Sequence, residues 1–237
     1  MSCVYGVDGC PGGWAVVAVS AQGELSPEAA FAPSLRECVA EGAVVAVDMP
    51  IGLPERIEGP GRRAEQAVRP HLGARQSSVF SIPSRAAVYA PTYEDACAAA
   101  LATSNPPRKV SRQAFNLFPK IRELDRLLTP QTTKHVFECH PELAFWRLNG
   151  GRPMPTPKRV KGVAMRDGLS ERIGLLIANG YGASFFDRSA SLKIPLVDLV
   201  DAAVVALMAR RIACGQAQPF PNPPDRDEKG IPIAIWA

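Results

Sequence analysis

The sequence lacks the motifs that mark several large enzyme classes. It contains no G-x-x-x-x-G-K-[ST], G-x-S-x-G or G-x-G-x-x-G pattern and no Cys/His spacing suited to zinc. P-loop nucleotide hydrolysis, α/β-hydrolase chemistry and a Rossmann dinucleotide site therefore have no support in the sequence. A C-x-x-C pair is also absent, and most of the 6 cysteines lie in apolar runs, which is typical of reduced, buried thiols.

Long uncharged apolar runs are missing as well. None approaches the roughly 18 residues that a membrane-spanning helix needs. The first apolar stretch follows no basic region and contains Asp8, unlike a secretory signal. We therefore expect a cytoplasmic protein that has no membrane partner.

Composition and charge indicate a globular protein with an unusual amount of proline. The 237 residues are 46% hydrophobic and 21% charged, which fits one large domain or two small ones. The 23 prolines cluster at 50–60, 105–107, 153–157 and 219–224, and we interpret these clusters as loops. The net charge of +4 is compatible with nucleic-acid contact but does not require it.

The first fifty residues predict the β-rich start of a mixed α/β fold. Two β-rich runs flank a glycine-rich turn and predict a hairpin, followed by a weaker third strand and a short helix. A wholly apolar run then predicts a buried strand. The elements are strands at 3–7, 14–20 and 24–32, a helix at 34–41, and a strand at 43–47 that ends at Asp48.

The middle of the chain changes to helical patterns and predicts a helical insertion at about 50–132. A Thr92-x-x-Asp95 capping box begins one helix, and Pro119 is expected to break or kink another. A strand at 135–137 then ends at Glu138. The remaining predicted elements are helices at 141–146, 158–166, 170–178 and 195–214, and a last edge strand at 231–236.

Three acidic residues follow predicted strands at the point where each strand ends. They are Asp8, Asp48 and Glu138, and functional groups of open α/β sheets gather outside the carboxyl ends of the strands. Carboxylates that lie close together repel unless a cation or a proton sits between them. Mg²⁺ prefers carboxylate and water oxygens, so these acids predict a divalent-cation site, although any one of them alone is as readily explained by a cap or a turn.

Two further acids, Asp198 and Asp201, lie near the start of the predicted helix at 195–214. Because helical positions three apart share a face, both carboxylates would point the same way. Acids at a helix N-terminus also stabilise the helix dipole, and this simpler explanation suits Asp198 best. Asp201 is flanked by apolar residues, where an unpaired carboxylate would be costly to bury.

Successive blocks of the chain resemble those of a bacterial family, described as domain of unknown function family 429 and as a predicted nuclease with a ribonuclease H fold. The resemblance covers nearly the whole chain and keeps the order of the blocks. The blocks are VDGCPGGW, VAVDMPIGLPE, GRRAEQAVR, LGARQSSVF, SRQAFNLFPKIRELD, FECHPELAFWRLNG, KRVKG, ERIGLL and DLVDAAVVALMA.

This resemblance implies a single ribonuclease H-like domain over 1–237, with a five-stranded mixed sheet of three antiparallel and two parallel strands flanked by helices. It implies Mg²⁺ or Mn²⁺ as cofactor and nucleic acid, DNA or RNA, as substrate, cut by two-metal hydrolysis of the phosphodiester. Asp8, Asp48 and Asp201 would be metal-binding and catalytic residues, and Asp198 an added ligand. Glu138 would be a ligand, a base or a neighbour that orients His140.

The same blocks contain basic residues that the resemblance makes candidates for phosphate contact, since arginine suits bidentate binding. Most basic residues of any protein are solvated surface, and we expect about half of this set to bind phosphate. The candidates are Arg62, Arg63, Arg75, Arg85, Lys120, Lys158 and Lys161.

Two other functions remain open from the sequence, and so does a homo-oligomeric state. A nucleotide-dependent phosphotransferase of the actin and sugar-kinase branch would share the sheet and the first aspartate, but a second glycine-rich loop near the late helix is missing. A non-catalytic nucleic-acid-binding module would keep the acids to hold one structural ion. His140 is either an acid or base of the site or the partner in a local hydrogen bond.

Overall fold

A computed structural model describes residues 2–38 and 42–237 and shows a mixed sheet with helices against both faces. The strands are β1 (Cys3–Cys10), β2 (Gly13–Ser20), β3 (Glu28–Ala32), β4 (Val45–Asp48), β5 (Ile57–Glu58), β6 (Ser104–Asn105), β7 (Val136–Glu138), β8 (Arg159–Val160), β9 (Val163–Ala164), β10 (Pro219–Arg226) and β11 (Pro232–Trp236). The α-helices are α1 (Arg63–Val68), α2 (Arg85–Val88), α3 (Tyr93–Ala102), α4 (Arg112–Leu127), α5 (Pro141–Leu148), α6 (Arg166–Ala178), α7 (Ser189–Leu192) and α8 (Leu196–Ala213).

The main sheet has seven strands in the order β10-β11-β7-β4-β1-β2-β3. Strands β1, β2 and β3 are antiparallel neighbours, as the sequence predicts. Strand β4 pairs parallel with β1, and β7 pairs parallel with β4. The expected mixed α/β sheet flanked by helices is therefore confirmed. The predicted number of five strands is wrong, because β11 and β10 extend the sheet beyond β7.

The two C-terminal strands, β10 and β11, both differ from the sequence prediction. The proline cluster at 219–224 forms the edge strand β10 instead of a loop. Proline lacks an N–H and is tolerated at a sheet edge, where one side of the strand needs no donor. The segment expected as the edge, β11, lies inside the sheet between β7 and β10.

The helical segment between β4 and β7 contains α1 to α4. Helix α3 begins after Thr92, whose side chain accepts a hydrogen bond from the Asp95 amide, so the predicted capping box is confirmed. Helix α4 continues through Pro119, so of the predicted break or kink the break is wrong. The buried face of α4, which includes Phe118, Ile121 and Leu124, packs in the core and compensates for the hydrogen bond that proline removes.

Two predicted helices have other structures. The segment 158–166 is the hairpin β8–β9, with Lys161 and Gly162 both at positive φ in its turn. Its two valines, Val160 and Val163, pair across the strands and are exposed. The predicted helix at 34–41 is a short 3₁₀ turn at Leu35–Glu37, and 39–41 lie outside the described residues.

Helix α8 lies against the central strands at a very short distance from β1. A Cβ atom placed on Gly6 would lie 2.1 Å from the Ala206 nitrogen and 2.3 Å from the Ala202 oxygen. Only glycine therefore allows this approach. Since strand residues two apart share a face, Asp8 is directed to the same side of the sheet as Gly6, toward the first turns of α8. Within the described residues, no helix combines the length and the hydropathy needed to cross a membrane.

We expect Gly6→Ala to lower the free energy of unfolding by about 3 kcal/mol, because the added methyl group meets backbone atoms that cannot move aside. Gly174→Ala is the matched control, since a Cβ at this helical glycine meets no atom within 4 Å. That variant should be as stable as the wild type or up to about 1 kcal/mol more stable. Urea unfolding followed by circular dichroism measures both, and equal stability of Gly6→Ala and the wild type would contradict the packing described.

Candidate functional site

Asp8 and Asp48 lie side by side on neighbouring parallel strands. The two residues are direct register partners in the β1–β4 pair, so their side chains leave the sheet on the same face. Asp8 is 7% exposed. Among the described residues, neither carboxylate accepts a hydrogen bond from a side chain or amide or forms an ion pair, and both line a cavity of about 360 Å³. Two carboxylates thus share one cavity without a protein partner.

Burial and repulsion by neighbouring acids raise the pKa values of Asp8 and Asp48. Burial, and then repulsion by Asp48 and by Asp201, raises the pKa of Asp8 well above its ordinary value. Burial and the charge of Asp201 raise the pKa of Asp48 to about 8, against a partial opposing effect of Lys158. The site is therefore short of positive charge at neutral pH.

Helix α8 brings Asp198 and Asp201 to the same place. Both are buried, and together with Asp8 and Asp48 they line a second, adjoining cavity of about 400 Å³. Burial raises the pKa of Asp198 to about 6, although Arg159 opposes the shift. Burial also raises the pKa of Asp201 despite its contact with Lys158. The four aspartates predicted from the sequence are thus brought together.

The base of the β8–β9 hairpin places two basic residues on the α8 acids. Lys158 Nζ lies 2.6 Å from Asp201 Oδ1 and 2.5 Å from Asp201 Oδ2. Arg159 Nη2 lies 3.2 Å from Asp198 Oδ1. The charges of Asp198 and Asp201 therefore have partners, in contrast to those of Asp8 and Asp48.

Glu138 also lines the first cavity, although its register places it on the other face of the sheet from Asp48. It is in register with Val47, not with Asp48, so its side chain leaves the opposite side of the sheet. Its Oε1 accepts from Arg62 Nη2 at 2.7 Å, and its Oε2 accepts from the Ile51 amide at 2.7 Å. Each oxygen therefore accepts one hydrogen bond within the protein, and the catalytic role of Glu138 stays a prediction.

Arg62 also lies inside the protein. Its side chain is 1% exposed, and it binds Glu65, Glu138 and the carbonyls of Ile51 and Gly52. These contacts fix the loop after β4 and occupy four of the five N–H groups of the guanidinium. The predicted contact of Arg62 with a substrate phosphate has no support in this position.

The other predicted phosphate contacts divide into two groups. Lys120 lies over the Trp14 ring and lines the first cavity, and Arg75 lines the second beside Lys158. Three others line neither of these two cavities within the described residues. Arg63 pairs with Asp225 at the surface, Arg85 pairs with Asp125 and Asp227, and Lys161 occupies the hairpin turn.

His140 lies between the two cavities and lines both. Its Nε2 is 3.3 Å from the Ser78 carbonyl, and its buried Nδ1 has no partner among the described residues. Burial, and then the charge of Lys158, lowers the pKa of His140 to about 4, so the ring is neutral at pH 7.

Sequence reasoning missed the residues that hold Lys158 in place. Glu142 Oε1 lies 3.7 Å from Lys158 Nζ, and Arg172 binds both oxygens of Glu142 from a fully buried position. Sequence reasoning also missed Arg159. The signal that could have found it is its position directly after the candidate Lys158. No local sequence pattern predicts the buried ion pair between Glu142 on α5 and Arg172 on α6.

Two of the site's residues offer the oxygen donors that a hard divalent cation prefers. Carboxylate oxygens are the preferred ligands of Mg²⁺, and Asp8 and Asp48 offer them free of protein partners within the described residues. No group of three or more His, Cys, Asp or Glu side chains in residues 2–38 and 42–237 is arranged to hold a metal ion. Asp198 and Asp201, which would complete such a group, instead direct oxygens to Arg159 and Lys158.

The fold and the site define an α/β protein with an acidic cavity at the carboxyl ends of its central parallel strands. The chain belongs to the family described as "Protein of unknown function (DUF429)", whose model matches residues 6–226. The resemblance to that family is thereby confirmed. Comparison with curated proteins and with solved structures finds no match.

Arg62 and Arg63 allow a direct test of which arginine is structural. Arg62→Met should lower the free energy of unfolding by about 3–5 kcal/mol, because it removes the cationic partner of the buried carboxylates of Glu65 and Glu138. Arg63→Met removes an exposed ion pair and should cost less than about 1 kcal/mol. Thermal or urea unfolding compares the two variants, and equal losses would contradict the placement of Arg62.

The raised pKa of Asp48 predicts a stability that depends on pH. In the folded protein this group binds a proton up to about pH 8, whereas in the unfolded chain it releases the proton near 3.8. Stability contributed by the protonated group is therefore lost as pH rises through this interval. In EDTA, the wild-type Tm should fall between pH 5 and pH 8, and Asp48→Asn should fall less.

Asp187→Asn is the control for this experiment, since Asp187 is an exposed acid on a different segment. Its Tm should follow the wild type at every pH. Identical slopes for Asp48→Asn and the wild type would show that Asp48 is ionised in the folded protein across this range.

Proposed function

We propose that the protein is a Mg²⁺- or Mn²⁺-dependent nuclease that hydrolyses phosphodiester bonds of DNA or RNA. The observation that carries this proposal is the pair Asp8 and Asp48, in register on neighbouring strands, facing the acids of α8 across a cavity. The strand order supports it, because three antiparallel strands with parallel strands added beside them are the arrangement that the family resemblance implies for a ribonuclease H-like sheet. Fold analogy alone would not assign an activity.

Asp8 and Asp48 would hold the divalent ion, with Asp198 and Asp201 beside them. When bound, the ion supplies positive charge that polarises the phosphate and lowers the pKa of a water. Hydrolysis forms one bond from a water oxygen to phosphorus, breaks one P–O ester bond, and transfers one proton from the water to the leaving oxygen, directly or through solvent. His140, neutral at pH 7 and with Nδ1 free of a partner among the described residues, is the candidate to carry this proton.

The basic residues around the cavities support nucleic acid as the substrate. Lys120, Arg75 and Arg159 line one or both cavities, and each is at least partly accessible to solvent. Their donors would orient a phosphate over the acids, since charge-assisted hydrogen bonds to phosphate are strong and directional. The net charge of +4 has the sign that brings a polyanion to the protein.

Asp8→Asn should abolish Mg²⁺-dependent cleavage, because a neutral amide replaces a carboxylate that the cation needs. The measurement is cleavage of labelled single-stranded, duplex and branched DNA and RNA in Mg²⁺ or Mn²⁺, with circular dichroism to confirm the fold. Asp187→Asn, an exposed acid outside the cavities, should retain the wild-type rate.

Equal cleavage by Asp8→Asn and the wild type would reject the assignment, and so would a wild type that cuts none of these substrates. In the second case, saturable ATP binding in a calorimeter would favour phosphotransfer. If the wild type shows no turnover and Asp48→Asn still binds nucleic acid, a binding module would be favoured.

A further inference from the structure

We propose that the Lys158 ammonium group supplies the positive charge that a second divalent ion would provide, so that the site binds one divalent ion, on Asp8 and Asp48. This inference rests on the proposed function and replaces the two-ion arrangement implied by the family resemblance. It follows from an asymmetry of the site: two aspartates have a cationic partner and two have none.

Lys158 places a positive charge directly on the α8 acid Asp201. Its Nζ lies within 2.6 Å of both Asp201 oxygens and 3.7 Å from Glu142 Oε1. A carboxylate that binds one ammonium ion through both oxygens has little capacity left for a metal on the same side. The Lys158 side chain is 17% exposed, so water does not compete strongly for this contact.

The position of Lys158 is fixed from behind. Glu142 is held through both oxygens by Arg172, and Arg172 also donates to the carbonyls of Thr156 and Gly168. Gly168 in turn lies so close to the chain that a Cβ there would be 2.1 Å from the Pro157 carbonyl. The segment before the β8–β9 hairpin is therefore packed against α6, and Lys158 is part of the site's framework.

Asp8 and Asp48 are sufficient for one ion. Mg²⁺ keeps several of its waters and is commonly bound by one or two carboxylates together with substrate phosphate. A site of this kind does not require three protein ligands, in agreement with the absence of such a group among the described residues. A second divalent ion next to Asp201 would be repelled by the ammonium charge of Lys158.

Counting bound ions tests this inference without a measurement of activity. After EDTA treatment, Mn²⁺ is titrated into the full chain, and the free ion is followed by electron paramagnetic resonance. The wild type should bind one ion. Lys158→Met, which removes the charge and keeps much of the volume, should bind two, because Asp201 then has no cationic partner at this position.

Three further variants control the count. Lys158→Arg keeps a positive charge and should bind one ion. Lys161→Met removes a lysine from the turn of the same hairpin, outside both cavities as described, and should also bind one. Should Lys158→Met fail to fold, Lys158→Gln provides the same loss of charge with a polar side chain.

Each count decides between the two proposals. Two ions in the wild type, or one ion in the wild type and in both neutral Lys158 variants, would overturn the role of Lys158 and leave the nuclease proposal standing. No ion in the wild type but one in Lys158→Met would also overturn it, since Lys158 would then block the site. No ion in any variant would overturn the metal-dependent function itself.

Discussion

The site depends on one constraint, namely that Asp8 and Asp48 are register partners on adjacent parallel strands. The sheet holds these two carboxylates at neighbouring backbone positions, and their repulsion cannot be relieved by moving apart. The close approach of α8 over Gly6 then closes the space above them and adds two more acids. The raised pKa values of Asp8 and Asp48 follow from this geometry, and so does the need for a cation or for protons in the cavity.

The protein neutralises only one side of this acidic cluster. Asp198 and Asp201 pair with the hairpin residues Arg159 and Lys158, and Lys158 is supported in turn by the buried Glu142–Arg172 pair. Asp8 and Asp48, on the sheet side, have no such partner among the described residues. A purely structural cluster would gain stability from neutralising all of its acids, because unpaired buried charge is costly. Without a cation, this half of the cluster takes up protons, as the raised pKa values of Asp8 and Asp48 show, and the proposed divalent ion would replace them.

Much of the site was predictable from the sequence, because it depends on where acids follow apolar runs. Asp8 and Asp48 stand in or after strand-like runs, and Asp198 and Asp201 lie three apart on a helix, so local patterns placed all four. Glu138 shows where this reasoning ends: a shift of one register position relative to Asp48 directs it to the other face, and no local pattern reveals that shift. The segment 159–164 forms a hairpin because Lys161 and Gly162 make a turn that its apolar pattern does not show. The proline-rich β10 is a strand because it pairs with β11, a contact that no local pattern predicts.

Some of the candidate basic residues are buried and others are accessible to solvent, a difference that their sequence blocks do not show. Under the proposed function, the accessible ones indicate where a substrate would enter. Arg62 is buried in contact with Glu138 and does not line either cavity among the described residues. The partly accessible donors are Lys120 on α4, Arg75 in the loop segment after α1, and Arg159 on the hairpin. Under the proposed function, a polyanion that approaches Asp8 and Asp48 along these donors would meet positive charge beside the acids. His140 lines both cavities, and its neutral ring would add a polar group there without a further charge.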